Sequence, residues 1–403
     1  MYIARQPIFR EDKEVYGYEL LFRGGKASKG FDGISATHAT ASVLTGLFES
    51  GLEKIVEDKK AFINFDEVLL KTDLPELIDK DRLVVEILET VVVDDGIKER
   101  IEDLSQKGYR IALDDFEDSY DTYPLVPIAD IIKYDLVVTP LETIKTEVIK
   151  ALKDNKILLA EKIETEGEFD QARKMGFKLF QGYFFSKPSI VGKKNRTKTT
   201  SKTQYLRLIQ ELQADEPSYQ KLAEIVEKDV NLAYRLMRVI SGRAGDDLVY
   251  SIKRALTYMG LKELERWIHV LMIQELGANK PKELMRLSLI RSKFSELVAL
   301  TSNLKRIKHE AAMMGLFSTI DALLDMDMEE ALLDIPLPGH VLDALIRKQG
   351  TLASLYELVE AYEHGDWLET ASLSKNMGLD SENLYQKYLM SVEWARETMD
   401  LML

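Results

Sequence analysis

The 403-residue sequence has no cysteine. Disulfides, thiolate zinc sites and cysteine nucleophiles are thereby excluded, and the absence goes with the reducing cytoplasm, the expected location. No run of about 18 apolar residues occurs, so no membrane insertion is expected. The opening MYIARQPIFREDKE has no apolar signal-peptide core. Positive charge is in deficit: 54 Lys and Arg against 68 Asp and Glu give a net charge of -14. That argues against binding a nucleic acid duplex or an anionic membrane as a bulk polyanion. It leaves room for one small anion held by a few basic groups or by metal ions. The five histidines (His38, His269, His309, His340 and His364) are scattered, and none is followed by aspartate. RGGKASKG (23–30) lacks P-loop spacing, and DMDMEEALLD (325–334) lacks the glycine and spacing of an EF-hand loop.

What is present falls into two halves. Over residues 1–190, short β-rich runs alternate with helical stretches: AFINF (61–65), RLVVEIL (82–88), RIALDD (110–115), ADIIKYD (129–135), KILLAEK (156–162) and FKLFQGYFF (177–185). Helix-period segments at 94–108 and 168–176 each end in glycine, a common helix stop. This alternation predicts βαβ units and a parallel sheet. VGKKNRTKTTSKT (191–203) is basic and polar and reads as a linker. Residues 204–403 carry apolar side chains at three- and four-residue spacing and predict one all-helical domain. His269 sits in such an apolar stretch, where a packed histidine is commoner than a ligand.

The strands of the first half end in chemically capable residues. Asn64 ends one, Glu86 lies near the end of the next, and Asp114 and Asp115 follow RIAL. Lys133 and Asp135 end another, Glu161 follows KILLA, Gln181 lies in the last run, and Glu19 sits in VYGYELLFR. Any one of these, taken alone, is better explained by a strand-to-helix turn. In a parallel barrel, however, all such ends meet on one face. Carboxylates and an amide oxygen are hard donors suited to Mg²⁺ or Mn²⁺. Lys133 could offset part of the repulsion between adjacent aspartates, and Glu161 could take a proton from an activated water. That set suits hydrolysis of a phosphate ester.

These residues carry a family likeness. GYELLFR, INF, EILET, ALDDF, IIKYD, LLAEKIET and FQGYFFSKP, in this order, resemble an EAL domain, the TIM-like α/β barrel that hydrolyses or binds cyclic di-GMP. Leu20 stands where the signature has alanine. The resemblance implies that Glu19, Asn64, Glu86 and Asp114 hold a first Mg²⁺ or Mn²⁺ and that Asp115 serves a second. Lys133 would assist near the attacking water and Glu161 would be the general base. Gln6 and Arg23 would contact the dinucleotide, Gln181 would line the site, and Glu89 and Glu164 would be supporting carboxylates. The family's glycine-rich loop after the aspartate pair supports metal binding and dimerisation; here it reads DDFEDSYDTYP, without glycine. A homodimer is therefore one assembly the likeness implies, and the altered loop bears on it.

The second half resembles an HDOD domain, through EIVEKDVNLAYRLMRVIS and YSIKRALTYMGLKEL. MMGLFSTIDALL (313–324) stands where related HD enzymes place a His-Asp pair, so no HD-type metal chemistry is expected. The order of the two halves is similar to that of bacterial EAL–HDOD signalling proteins. The expectation is a barrel that binds cyclic di-GMP with weak or lost hydrolysis, joined to a non-catalytic helical half that engages a protein partner. The alternatives are an active metal-dependent phosphodiesterase producing the linear dinucleotide, and a scaffold without ligand.

Overall fold

A computed structural model describes residues 2–23, 52–185, 200–244, 251–277, 280–333, 335–379 and 382–402. RGGKASKG beyond Arg23, His38 and residues 191–199 of the expected linker lie outside these. The structure divides into two compact units, Met1–Lys187 with Leu358–Leu389 and Pro188–Glu357 with Met390–Leu403. Leu358–Leu389 thus groups with the first half, whereas the sequence reading placed all of 204–403 in one helical domain.

The first unit is built on a closed eight-stranded barrel. Its strands are β1 (Tyr2–Arg10), β2 (Val15–Arg23), β3 (Lys60–Phe65), β4 (Leu83–Ile87), β5 (Arg110–Leu113), β6 (Ile131–Asp135), β7 (Ile157–Glu161) and β8 (Leu179–Gln181). Neighbours from β2 to β8 pair in parallel, but β1 runs antiparallel to both β2 and β8. The six strands expected from the sequence, β3 to β8, pair in parallel as predicted, and β1, which the sequence pattern did not mark as a strand, adds the antiparallel pairings. The reason is the connection: only residues 11–14 separate β1 from β2, too few for a crossover between parallel strands.

The predicted helices are present as Asp95–Gln106 and Glu166–Met175. Asp94 caps the first by accepting from Ile97 N at 2.7 Å. Thr165 and Glu168 form a reciprocal capping box at the start of the second. Residues 114–130, between β5 and β6, form turns without a helix.

Inside the barrel, Ile8, Phe62, Val84, Ala112, Ile131, Leu159 and Leu179 form one buried layer, drawn from seven strands. The eighth strand, β2, has Gly17 facing it. A Cβ at Gly17 would stand 2.9 Å from the Phe62 ring, so the ring fills the space a side chain would need.

The second unit is helical throughout its described residues, from Thr200–Leu212 onward, as the apolar spacing predicts. Helices Lys282–Leu300 and Lys308–Phe317 cross closely at Gly315, where a Cβ would lie 2.3 Å from Arg291 O. Among the described residues, no helix is long and apolar enough to cross a membrane.

Candidate functional site

Successive side chains of a strand point to opposite faces, so residues i and i+2 share one face. From each apolar layer residue, the next inward position toward the C-terminal end of its strand is polar. Phe62 is followed by Asn64, Val84 by Glu86, Ala112 by Asp114, Ile131 by Lys133, Leu159 by Glu161 and Leu179 by Gln181. On β2 the step leads from Gly17 to Glu19. On antiparallel β1 it runs backward, from Ile8 to Gln6, and Gln6 pairs across from Glu19. One apolar layer therefore carries one polar layer above it.

Lys133 is the centre of that layer. It is fully buried, and its Nζ lies 2.6 Å from Asp114 Oδ1, 2.8 Å from Glu86 Oε1, 2.9 Å from Glu161 Oε1 and 3.7 Å from Glu19 Oε2. Burial alone would lower the pKa of this lysine, but Glu161, Glu19, Glu86 and Asp114 together hold it well above the usual lysine value. Burial drives the Glu161 carboxyl up to about 8, against the opposing pull of Lys133. Burial also raises Glu86 well above the usual carboxylate value, and Asp114 above its own. Glu19 goes the other way. Its burial is outweighed by Lys133 and by hydrogen bonds from Gln181 and Asn64, which hold it below the usual value.

Glu19 is fixed from both sides: Asn64 Nδ2 donates to its Oε1 at 3.1 Å and Gln181 Nε2 to its Oε2 at 2.7 Å. Gln181 Nε2 also donates to Gln6 Oε1 at 3.1 Å. Asp114, Asp115 and Glu161 each offer one oxygen, all within 4.8 Å of one another.

The site's oxygens fit a divalent cation. The Oε2 of Glu86 and the Oδ1 of Asn64 are buried and accept no hydrogen bond, while Glu86 Oε1 faces the Lys133 ammonium at 2.8 Å. Unsatisfied buried acceptors are costly, and a hard cation would satisfy them. Glu19, Glu86, Asp114, Asp115 and Glu161 set five carboxylates against the one ammonium of Lys133. With all five ionised, the state that bound cations would favour, four negative charges would be left over, the charge of two divalent ions.

The glycine-free loop is firmly attached. Asp114 N donates to Ile87 O at 3.0 Å and Phe116 N to Lys133 O at 2.9 Å. The Phe116 ring meets Tyr123 and Tyr134 edge-on at 5.5 Å and 6.0 Å. The left-handed conformation that a glycine would favour falls on Asp115 itself, at φ 37°; aspartate is one of the residues that tolerates it.

Not every candidate joins the cluster. Glu89 and Glu164 are exposed, in the loops after β4 and β7. Arg23 ends β2 opposite Tyr2. Asp135 sits one inward position beyond Lys133, where Lys162 Nζ at 2.5 Å and Val137 N at 2.8 Å occupy its carboxylate. The sequence reading missed Gly17, whose signal was an isolated glycine inside a strand pattern.

In the helical unit, His269 is buried, edge-on to Phe317 at 5.2 Å, and burial lowers its pKa to about 4. Ser318 and Thr319 stand in MMGLFSTIDALL and face Arg291 and Ser288. Arg291 Nη1 donates to Ser318 Oγ at 3.2 Å, and Ser288 hydrogen-bonds Thr319.

The chain matches the EAL domain over residues 1–188 and the HDOD domain over residues 200–333. It is 34% identical over 402 residues to cyclic di-GMP phosphodiesterase CdgJ of Vibrio cholerae, covering 98% of this chain and 92% of that protein. It is 34% identical over 412 residues to the uncharacterized protein YuxH of Bacillus subtilis, covering 99% of each. A solved structure of the Bacillus subtilis YkuI protein, which has an EAL domain and was determined with c-di-GMP and calcium, is similar at 22% identity and a TM-score of 0.38. That likeness covers 66% of this chain and 73% of YkuI. With a relative of this identity matching almost end to end, and with the two domains in this order, the chain belongs to the family of EAL–HDOD proteins.

Proposed function

We propose that the barrel binds cyclic di-GMP and hydrolyses it to the linear dinucleotide with the help of Mg²⁺ or Mn²⁺. The observation that carries this reading is the buried polar layer, in which five carboxylates converge near the Lys133 ammonium and the Oε2 of Glu86 and Oδ1 of Asn64 accept no hydrogen bond. Glu19, Asn64, Glu86 and Asp114 would hold one ion and Asp115 would serve the second. Such ions polarise phosphoryl oxygens and make water acidic enough to give up a proton near neutral pH. Glu161 is the proton acceptor. Burial pushes its carboxyl up in the cation-free site, and positive charge added nearby would favour the ionised form that can take a proton. Lys133 keeps the carboxylates in one cluster and stands beside Glu161 at 2.9 Å. Gln6, Arg23 and Gln181 are assigned to dinucleotide contacts. The relative named as a cyclic di-GMP phosphodiesterase supports the substrate class.

A second reading, binding without turnover, is favoured by the missing glycines after Asp115. The backbone anchors at Asp114 and Phe116 weigh against it, because they tie the loop to β4 and β6. The helical half, whose MMGLFSTIDALL segment has no His-Asp pair, is assigned to protein interaction.

The test is calorimetric titration of cyclic di-GMP in Ca²⁺, followed by chromatography after incubation with Mg²⁺ or Mn²⁺. Binding with linear product is expected. Binding without product would make the protein a receptor, and no binding would overturn the reading.

A further inference from the structure

Residues Leu358–Leu389 belong to neither matched domain, yet they are part of the compact unit that contains the barrel. Their attachment is aromatic. The Tyr2 ring stacks on Trp367 at 5.3 Å and meets Tyr362 edge-on at 6.1 Å. Tyr362 packs on Tyr388 at 5.0 Å and accepts a hydrogen bond from Ile3 N at 3.4 Å. Gly365, at φ +71°, lies so close to the barrel that a Cβ there would stand 2.7 Å from Leu21 Cδ1.

These contacts are all on one side of the polar layer. Tyr2 and Ile3 pair with Arg23 and Phe22, beyond the Gln6–Glu19 pair toward the C-terminal end of β2. Leu21 lies on the same side, and Tyr183 follows Gln181 beyond the end of β8. This is the end toward which every carboxylate of the site is displaced from the apolar layer. The last turn of helix Ala353–His364 therefore stands at the mouth of the site.

It also joins the site's hydrogen-bond chain. Gln181 Nε2 donates to both Glu19 Oε2 and Gln6 Oε1, and Gln6 Nε2 in turn donates to Glu363 O at 3.5 Å. A carbonyl can only accept. Turning the Gln6 amide over would set its oxygen against Glu363 O and its NH₂ against that of Gln181. One residue on, the exposed His364 ring meets the Tyr183 ring at 4.6 Å and 66°. A planar nucleobase entering the mouth would find an amide of fixed polarity and a braced aromatic ring.

We propose that Leu358–Leu389 forms one wall of the barrel's ligand mouth, with Glu363 positioning Gln6 and His364 positioning Tyr183 for a base of the dinucleotide. This rests on the cyclic dinucleotide reading. The test uses the full chain with three variants: His364→Ala, His364→Phe and Trp367→Ala. Binding of cyclic di-GMP is measured in Ca²⁺, and turnover in Mg²⁺. His364→Ala is expected to raise Kd and KM about 5-fold, the loss of one edge-to-face ring contact, while lowering kcat by less. His364→Phe, which keeps a ring against Tyr183, is expected to restore most of the affinity. Unchanged Kd in His364→Ala, or Kd equally raised in both His364 variants, would overturn the role of His364.

Hydrogen exchange of the ligand-free protein separates this proposal from the function itself. Trp367→Ala is expected to speed exchange in 2–8 and 179–183 and leave 157–161 unchanged. If the wild type bound no dinucleotide, the functional reading would fail. The wall would still stand if this local pattern appeared, and would fall if exchange were unchanged or rose uniformly.

Discussion

The ammonium of Lys133, in the middle of β6, and the carboxylate of Asp114, just past the end of β5, meet at 2.6 Å inside the barrel. Among the described residues, the contact ties the aspartate pair to the only ammonium in the polar layer. Removing one partner of a buried ion pair leaves the other uncompensated, typically at a cost of about 3–5 kcal/mol. Lys133→Met is expected to destabilise the barrel on that scale at pH 8 and by less at pH 5.5. Glu161, Glu86 and Asp114 all have raised pKa values, so acid neutralises the carboxylates that the lysine no longer balances. Urea unfolding at the two pH values measures it; an equal loss at both would contradict the charge argument.

Glu161→Gln keeps the shape of the side chain and removes the proposed proton acceptor. General-base catalysis contributes roughly 10²–10⁴-fold. Turnover of cyclic di-GMP is expected to fall by at least about 10²-fold, with binding in Ca²⁺ retained. A loss of only a few-fold would assign the proton transfer elsewhere.

Glu19→Ala removes a carboxylate that two amides hold in place. Outer-shell changes at metal sites cost about 10–100-fold in affinity, and loss of a ligand should cost no less. Mn²⁺ affinity, followed by calorimetry, is expected to fall at least about tenfold. The barrel's circular dichroism is expected to stay unchanged. Unaltered Mn²⁺ affinity would remove Glu19 from the ligand set.

His269 offers a pH signature in the helical unit. Its folded pKa is lowered from 6.5 to about 4 by burial, so the unfolded chain takes up the proton first as pH falls. Its stabilising contribution is present above pH 6.5 and is lost progressively toward pH 4, on the order of 3 kcal/mol across that window. His269→Phe is expected to flatten this part of the stability profile, read from urea midpoints between pH 7 and pH 4.5. An unchanged acid slope would show that other groups set it.

Much of the site was legible from residue types. Asn64, Glu86, Asp114 and Glu161 stand out because hydrophilic side chains interrupt or end apolar runs, and the structure brings all four into one layer. Glu89 and Glu164 carry the same chemistry but sit in exposed loops, a difference that composition cannot register. The attachment of Leu358–Leu389 was illegible for a related reason. Its Tyr362, Trp367 and Tyr388 fit a helical pattern that would suit packing on any apolar surface, and the partner chosen, Tyr2, is more than 350 residues away.

The sequence by itself determined the inward faces. Period-two alternation fixes that Val84 and Glu86, or Ile131 and Lys133, point the same way, because successive side chains of a strand must diverge. It also determined that hard oxygen donors outnumber positive charge there. Only the tertiary structure decided the heights. Closing the barrel in one register put Gln6 of an antiparallel strand opposite Glu19 and brought Lys133 within 3 Å of carboxylates from three other strands or their ends. The register between strands depends on long-range pairing, and no local pattern of residues encodes it.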